Sequence, residues 1–226
     1  MINFNRVHFA LKILRTPSQR KYLWKWIKSS LQKDYFLIYR QPWITFDAVD
    51  FLDTINLQNK HVFEYGSGGS TLYWLDKGAS VISIEHDPVW FNKVKSLISP
   101  SYRLDYRLVL PEPESDEVHS KKNPANPDDY ISSEDKKVTY KSYVCQIDEF
   151  DDKFFDVVLI DGRARPSCIK HSVAKVKSGG VLILDNSDRE YYTERTKSLL
   201  ESFGTKTFCS PLPQCTGTRT SIYIKL

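Results

Sequence analysis

Between residues 61 and 184, short and nearly apolar runs alternate with segments of helical spacing, and few architectures accommodate that rhythm. His61-Val62-Phe63-Glu64-Tyr65, Val81-Ile82-Ser83-Ile84-Glu85, Tyr106 to Leu110, Phe155 to Ile160 and Val181 to Leu184 read as strands. Phe155 to Ile160 is almost wholly apolar, which fits a central strand buried on both faces. Helices are predicted between them. Thr71 to Lys77 ends at Gly78, Pro88 to Ile98 carries proline in its first turn, and Ser167 to Lys177 is closed by Gly179-Gly180. Glu190 to Phe203 is a further predicted helix. Such alternation gives a doubly wound, mostly parallel α/β sheet. Thr205 to Cys209 and Thr220 to Ile224 flank a Pro/Gly-rich loop with no helix between them, which predicts one antiparallel strand at the C-terminal end.

Two segments stand outside this rhythm. Residues 1–40 hold nine Lys and Arg against one acid, Asp34, for a net charge of +8, which leaves the rest of the chain at −4. Helices are expected over Val7 to Leu14 and Tyr22 to Leu31, broken near Thr16-Pro17-Ser18, and again over Phe46 to Ile55. Residues 1–42 are therefore read as a basic helical appendage to a domain spanning 43–226. Trp24, Ile27 and Leu31 are spaced to share one helix face, with Lys21, Lys25 and Lys28 beside it. Such a face can lie on an anionic membrane. The preferred reading packs it on the domain with the lysines in water. The second segment, 111–139, holds four prolines, eight acids and four lysines, and reads as a loop or lid inserted after the third strand.

Met1 to Ala10 lacks a long apolar run, and no stretch approaches the ~20 apolar residues that span a bilayer. Cys145, Cys168, Cys209 and Cys215 have neither zinc spacing nor a disulfide framework. A cytoplasmic protein with reduced thiols is expected. An overall charge of +4 does not argue for a nucleic-acid partner.

The chemistry gathers at the first strand's end: Glu64-Tyr65-Gly66-Ser67-Gly68-Gly69-Ser70-Thr71. Glycines let the chain turn sharply and approach a ligand, and the following helix offers free N–H groups. Glu85 ends the second strand, 21 residues after Glu64. A carboxylate at about that separation is placed to accept hydrogen bonds from ribose hydroxyls. A dinucleotide fingerprint needs glycine at the sixth position of G-x-G-x-x-G, where this chain has Thr71. Glu64 would repel a pyrophosphate but suits a cationic amino-acid group. Adenosine joined to such a group describes S-adenosylmethionine.

At these residues, and from Trp43 to the C-terminus, the chain resembles the class I S-adenosylmethionine-dependent methyltransferases. The resemblance rests on the acid–Gly-x-Gly turn, Glu85, FDVVLIDG with Asp161 at its end, and SGGVLILDN. It implies a Rossmann-like sheet of seven strands whose last strand is antiparallel. It further implies that Gly66, Ser67 and Gly68 line the methionine part, that Ser70 meets its carboxylate, and that Glu64 sits near its ammonium. Glu85 would hold the ribose and His86 would lie against the adenine. Ser70 occupies the position of the family's third glycine.

Asp161, Asp185 and Asn186 end the fourth and fifth strands, where an open α/β sheet forms its crevice. This is similar to the metal set of catechol and caffeoyl-CoA O-methyltransferases. That family places a lysine base three residues after the first Asp, and Ala164 stands there in this chain. A divalent metal is accordingly not favoured. In the preferred reading Asp161 supports the cofactor and is the best-placed catalytic base, and Asp185-Asn186 cap the next helix. Arg163 and Arg165 could fork onto a carboxylate or phosphate, joined by Arg189, with Asp185 also facing the acceptor. The competing reading pairs these arginines with acids of the insertion.

The expected activity is methyl transfer to a small, anionic acceptor, on oxygen, with the insertion 111–139 and the N-terminal helices shaping its pocket and excluding water. Three alternatives are a non-catalytic S-adenosylmethionine-binding module, a nicotinamide-dependent oxidoreductase and an aminopropyltransferase. Ala164 keeps the first open, Thr71 and Glu64 oppose the second, and the arginine pair has the wrong sign for the third.

Overall fold

The structure, a computed structural model, describes residues 4–209 and 218–226. Cys215 and most of the Pro/Gly-rich loop lie outside these residues. Strands β1 (His61–Tyr65), β2 (Ser80–Glu85), β3 (Leu104–Leu108), β4 (Phe155–Ile160), β5 (Val176–Asp185), β6 (Phe203–Phe208) and β7 (Thr220–Lys225) form one seven-stranded sheet. Its order is β3-β2-β1-β4-β5-β7-β6. Only β7 runs antiparallel to its neighbours, as the C-terminal pattern predicts.

Alternation along the strands builds an apolar layer on each face. Phe63, Tyr65, Val158, Ile160, Leu182 and Leu184 enter one layer, and Val62, Val157, Leu159, Val181 and Ile183 the other. The register sets Tyr65 level with Ile160, and Ile160 level with Leu184. Gly66, Asp161 and Asp185 therefore leave the sheet side by side.

Helices α1 (Phe4–Arg15), α2 (Leu23–Leu31) and α3 (Tyr35–Ile38) precede α4 (Phe46–Leu52), and α5 (Gly69–Asp76) and α6 (Pro88–Lys95) follow β1 and β2. Phe9, Ile13, Tyr22, Trp26, Tyr35 and Phe36 form an aromatic cluster that includes Phe46 of α4. The N-terminal helices are thus joined to the domain through a shared core. On α2 the buried residues are Trp26 and Ser29, whereas Trp24 is 79% and Leu31 72% exposed. Of the face expected to pack inward, Ile27 meets the core, whereas Trp24 and Leu31 point outward.

The insertion is an ordered excursion. Glu112–Pro113 pairs with Val138–Thr139 at its neck, and α7 (Asp116–His119) lies within it. Its acids bind the domain: Asp128 pairs with Lys170, Glu134 with Arg189 and Asp135 with Arg163. The chain returns through α8 (Lys141–Val144) to β4 and then α9 (Arg165–Ser172).

Two predicted elements are corrected. Gly179-Gly180 does not close a helix; both lie within β5, where the register against β4 shifts between Phe155 and Val157. Extra residues at a register shift are accommodated as a bulge, and Gly179 sits there at φ +76°. Glu190 to Phe203 is not one helix but two 3₁₀ turns, Glu190–Tyr192 and Lys197–Leu200. Thr193 and Thr196 turn their hydroxyls to the carbonyls of Glu190 and Tyr192, and such local bonds compete with a regular helix.

Candidate active site

Gly66 has φ +90°, and a Cβ there would stand 3.0 Å from the Gly162 nitrogen. Glycine alone permits that close approach, which seats the β1–α5 turn against the end of β4. Gly69 is constrained from the opposite side. A Cβ there would lie 2.1 Å from the Gln41 carbonyl oxygen and 2.5 Å from that of Phe36. The N-terminal segment therefore rests directly on the turn.

Glu64 locks the turn from below. Its side chain is fully enclosed and accepts bonds from the Thr71 hydroxyl, Ser83 Oγ at 2.8 Å and Trp74 Nε1 at 3.2 Å. Thr71 Oγ1 in turn accepts the Gly68 N–H at 3.0 Å. The expectation that Glu64 faces an ammonium is corrected: β1 alternation turns it onto the α5 side of the sheet. Burial raises its pKa to about 7, against the opposing pull of the hydrogen bonds from Thr71, Ser83, Ser70 and Trp74. The folded state thus keeps a proton that the unfolded state has released between the ordinary 4.5 and about 7. This residue's contribution to stability falls as pH rises through that window, by roughly 3 kcal/mol. Glu64→Gln removes the titration. Its stability relative to wild type, measured by urea unfolding, is expected to climb from pH 4.5 to 7. A constant difference would refute the assignment.

Glu85 is only 2% exposed. It accepts from Ser67 N at 3.0 Å, Ser67 Oγ at 2.8 Å, His86 N at 2.7 Å and Asp87 N at 2.9 Å. Burial alone would raise its pKa, but bonds from His86, the Asp87 backbone and Ser67 hold it below the ordinary range. It is an ionised carboxylate fixed in position. Glu85, His86, Gly66, Ser67, Asp161 and Arg163 all line a cavity of about 310 Å³.

A second cleft, of about 420 Å³, opens on the other side of the turn. Ser67, Gly68, Gly69 and Ser70 form one wall, Asp161, Asp185 and Asn186 a second, and Ser29, Gln32, Asp34, Tyr35, Phe36 and Trp43 a third. Ser67, Trp90 and Asp161 line both spaces. Trp90 donates its indole N–H to the Ser67 carbonyl at 2.8 Å. Sequence reasoning missed Trp90; it expected the N-terminal helices and the insertion to shape the pocket, and of these the N-terminal segment lines the cleft. The signal for Trp90 was Asp87-Pro88, an N-cap and first-turn proline that place it in the opening turn of α6.

Asp161 stands at the junction. Burial, then the charge of Asp185, raises its pKa well above the ordinary carboxyl range, against the pull of Arg165. Burial also raises Asp185, which accepts from Thr220 Oγ1 at 2.8 Å.

The arginines are not free for an acceptor. Arg165 is buried, and its guanidinium donates to the carbonyls of Gly162, Asp161 and Asp185 and to Asp161 Oδ1. This corrects its reading as an anion-binding residue, because its donors are consumed in tying β4 to β5. Arg163 pairs with Asp135 at 3.0 Å and Arg189 with Glu134 at 2.6 Å, the competing reading of both. The helix-cap reading of Asp185-Asn186 is also corrected. Asn186 has φ +50° and donates its amide to Thr218 Oγ1 at 2.9 Å. A divalent ion does not suit this trio, since the Arg165 cation already occupies the charge position beside Asp161 and Asp185.

His119 lies beside Glu114, outside both spaces. His171 is partly buried and pairs with Asp148 at 2.8 Å. Cys145, Cys168 and Cys209 are free thiols. No helix among the described residues is long and apolar enough to cross a membrane.

Solved structures share this architecture. An O-methyltransferase from Bacillus cereus in complex with SAH matches with a TM-score of 0.55 at 14% identity, over 97% of this chain and 91% of that one. The fold is that of the class I methyltransferases. A cofactor-bound protein from MTB matches with a TM-score of 0.56 at 13% identity, covering 93% and 97% of the two chains. The tRNA (m1A58) methyltransferase of Aquifex aeolicus gives 0.51 at 12% identity, covering 86% of this chain and 76% of that one. No family model matches the sequence, and no curated protein is detectably similar to it.

Proposed function

We propose that the chain transfers a methyl group from S-adenosylmethionine to an oxygen of a small, uncharged, hydroxyl-bearing acceptor. The observation that carries this reading is the wall shared by the two spaces. One space holds an ionised Glu85 fixed in position, the other is an aromatic cleft, and Asp161 lines both. The fold shared with SAH-bound and cofactor-bound proteins supports the same donor.

Bound there, S-adenosylmethionine supplies a methyl group activated by its positive sulfur. Glu85 and His86 would hold the adenosine end, while Ser67, Gly68 and Ser70 would line the methionine end. The chain's main contribution is alignment, which is worth up to ~7–11 kcal/mol. Tyr35, Phe36, Trp43 and Trp90 exclude water from the cleft, and Asp161 accepts the acceptor's hydroxyl proton. The charged residues lining the cleft are Asp34, Asp161 and Asp185, with no lysine or arginine among them. That lining supports an uncharged acceptor over an anionic one.

Calorimetric titration tests the donor. S-adenosylmethionine is expected to bind and NAD is not. Glu85→Ala should weaken binding by roughly 1.5–3 kcal/mol, about 10- to 150-fold, through lost ribose bonds. Unchanged affinity in the variant would reject the ribose assignment, and tight NAD binding would favour the oxidoreductase.

A further inference from the structure

Helix α2 is apolar on two opposite faces. Trp26 and Ser29 turn inward, while Trp24 and Leu31 stand in water on the other side, joined by Ile27, which is partly buried against the core. With Lys28 and Gln32 they line an open groove of about 470 Å³. Scattered exposed apolar residues need no explanation, but a contiguous stripe headed by an exposed tryptophan does. A second stripe, Val7, Leu11 and Leu14, is exposed on α1, which packs against α2.

We propose that the outer face of α2 docks on an anionic lipid surface. Charge decides between occupants. The stripe sits in a segment of net charge +8 on a body of −4, so a negative surface attracts the helices and repels the remainder. That asymmetry orients the molecule with α2 toward the lipid. A second copy of the chain would instead bring two such +8 segments together. Lys12, Arg15 and Lys33 have no acidic partner within salt-bridge distance among the described residues. The Lys28 ammonium lies 4.7 Å from the Tyr39 ring, beside the groove. Apolar residues with a tryptophan on one face and lysines at its margin are what an interfacial helix requires. The groove also adjoins the cleft, because Gln32 lines both. Docking would therefore hold the cleft next to the lipid, open to acceptors that partition there. This inference stands apart from the methyl-transfer reading, and its test uses no activity.

The test is co-sedimentation of the full chain with phosphatidylcholine vesicles, with and without phosphatidylglycerol. Binding to the anionic vesicles is expected, weakened by salt and roughly tenfold or more weaker on phosphatidylcholine alone. The double substitution Trp24→Ser and Leu31→Ser should reduce binding at least about tenfold with the melting temperature unchanged, since both side chains are in water. Lys28→Glu should weaken binding in the same direction. Failure to bind anionic vesicles, or equal binding by the double variant, would overturn the proposal. So would sedimentation as a dimer that the double variant abolishes, because the occupant would then be a second copy.

Discussion

Asp161→Asn is expected to lower kcat by roughly 10²- to 10⁴-fold, the range that a positioned general base contributes. The substitution keeps size and can still accept the Arg165 bond at Oδ1, 3.1 Å away in wild type. Affinity for S-adenosylmethionine, read by calorimetry, should change by no more than about fivefold, because in the proposed mode Glu85 and His86 would hold the other end of the molecule. The pH profile separates a base from a prop. Burial and Asp185 raise the Asp161 pKa well above the ordinary range, and a base works only when deprotonated. Activity should therefore rise with pH through this elevated value, and below it the rate should be lost. The limb belongs to the Asp161–Asp185 pair as a unit. In the asparagine variant it should vanish from the residual activity. A variant with wild-type kcat, or one retaining the acid limb, would remove Asp161 from the proton transfer.

The framework of this site was legible because strand ends obey local rules. His61–Tyr65 and Phe155–Ile160 coincide with their predicted limits, since their apolar runs are bounded by a polar turn and an Asp-Gly. The place of Glu85 beside the glycine turn was recoverable from spacing, because a β-α-β unit brings adjacent strand ends together whatever the intervening helix. Roles that depend on a partner far along the chain were not. Arg165 looks like an anion receptor in sequence, yet in the fold it spends its donors on carbonyls of residues 161, 162 and 185. Glu64 looks like a cofactor contact, yet strand alternation turns it beneath the turn. The N-terminal wall carries no motif that names its residues, and the close approach at Gly69 sets Phe36 and Gln41 on the turn, with Leu37 packed on Leu72. The α2 faces were ambiguous for a different reason: the helix is apolar on two sides, and periodicity alone does not say which side finds the core.

Arg165→Met is expected to destabilise the protein by about 3–5 kcal/mol, the cost of leaving buried charge without its partner. For a chain of this size that is a fall in melting temperature of roughly 10 °C. Methionine fills similar volume, so lost packing is a minor part of the change. What disappears is the tie between β4 and β5 and the cation beside two buried carboxyls. The guanidinium also lies 5.1 Å from the Tyr192 ring, so the 3₁₀ turn after β5 loses its seat. Arg165→Lys should recover only part of the loss, because one ammonium cannot reach three carbonyls and a carboxylate in the geometry of a planar fork. The sign of the pH dependence is fixed by the same argument. Arg165 stabilises the ionised forms of Asp161 and Asp185, so its removal matters most where they carry charge. The loss should be larger at pH 8 than at pH 5, where protonation of those carboxyls makes the missing cation less costly. Calorimetric melting of wild type, Met and Lys variants at both pH values measures all of this. A methionine variant melting within about 2 °C of wild type at pH 8 would mean that Arg165 is not structural. Its guanidinium would then again be a candidate for gripping an acceptor.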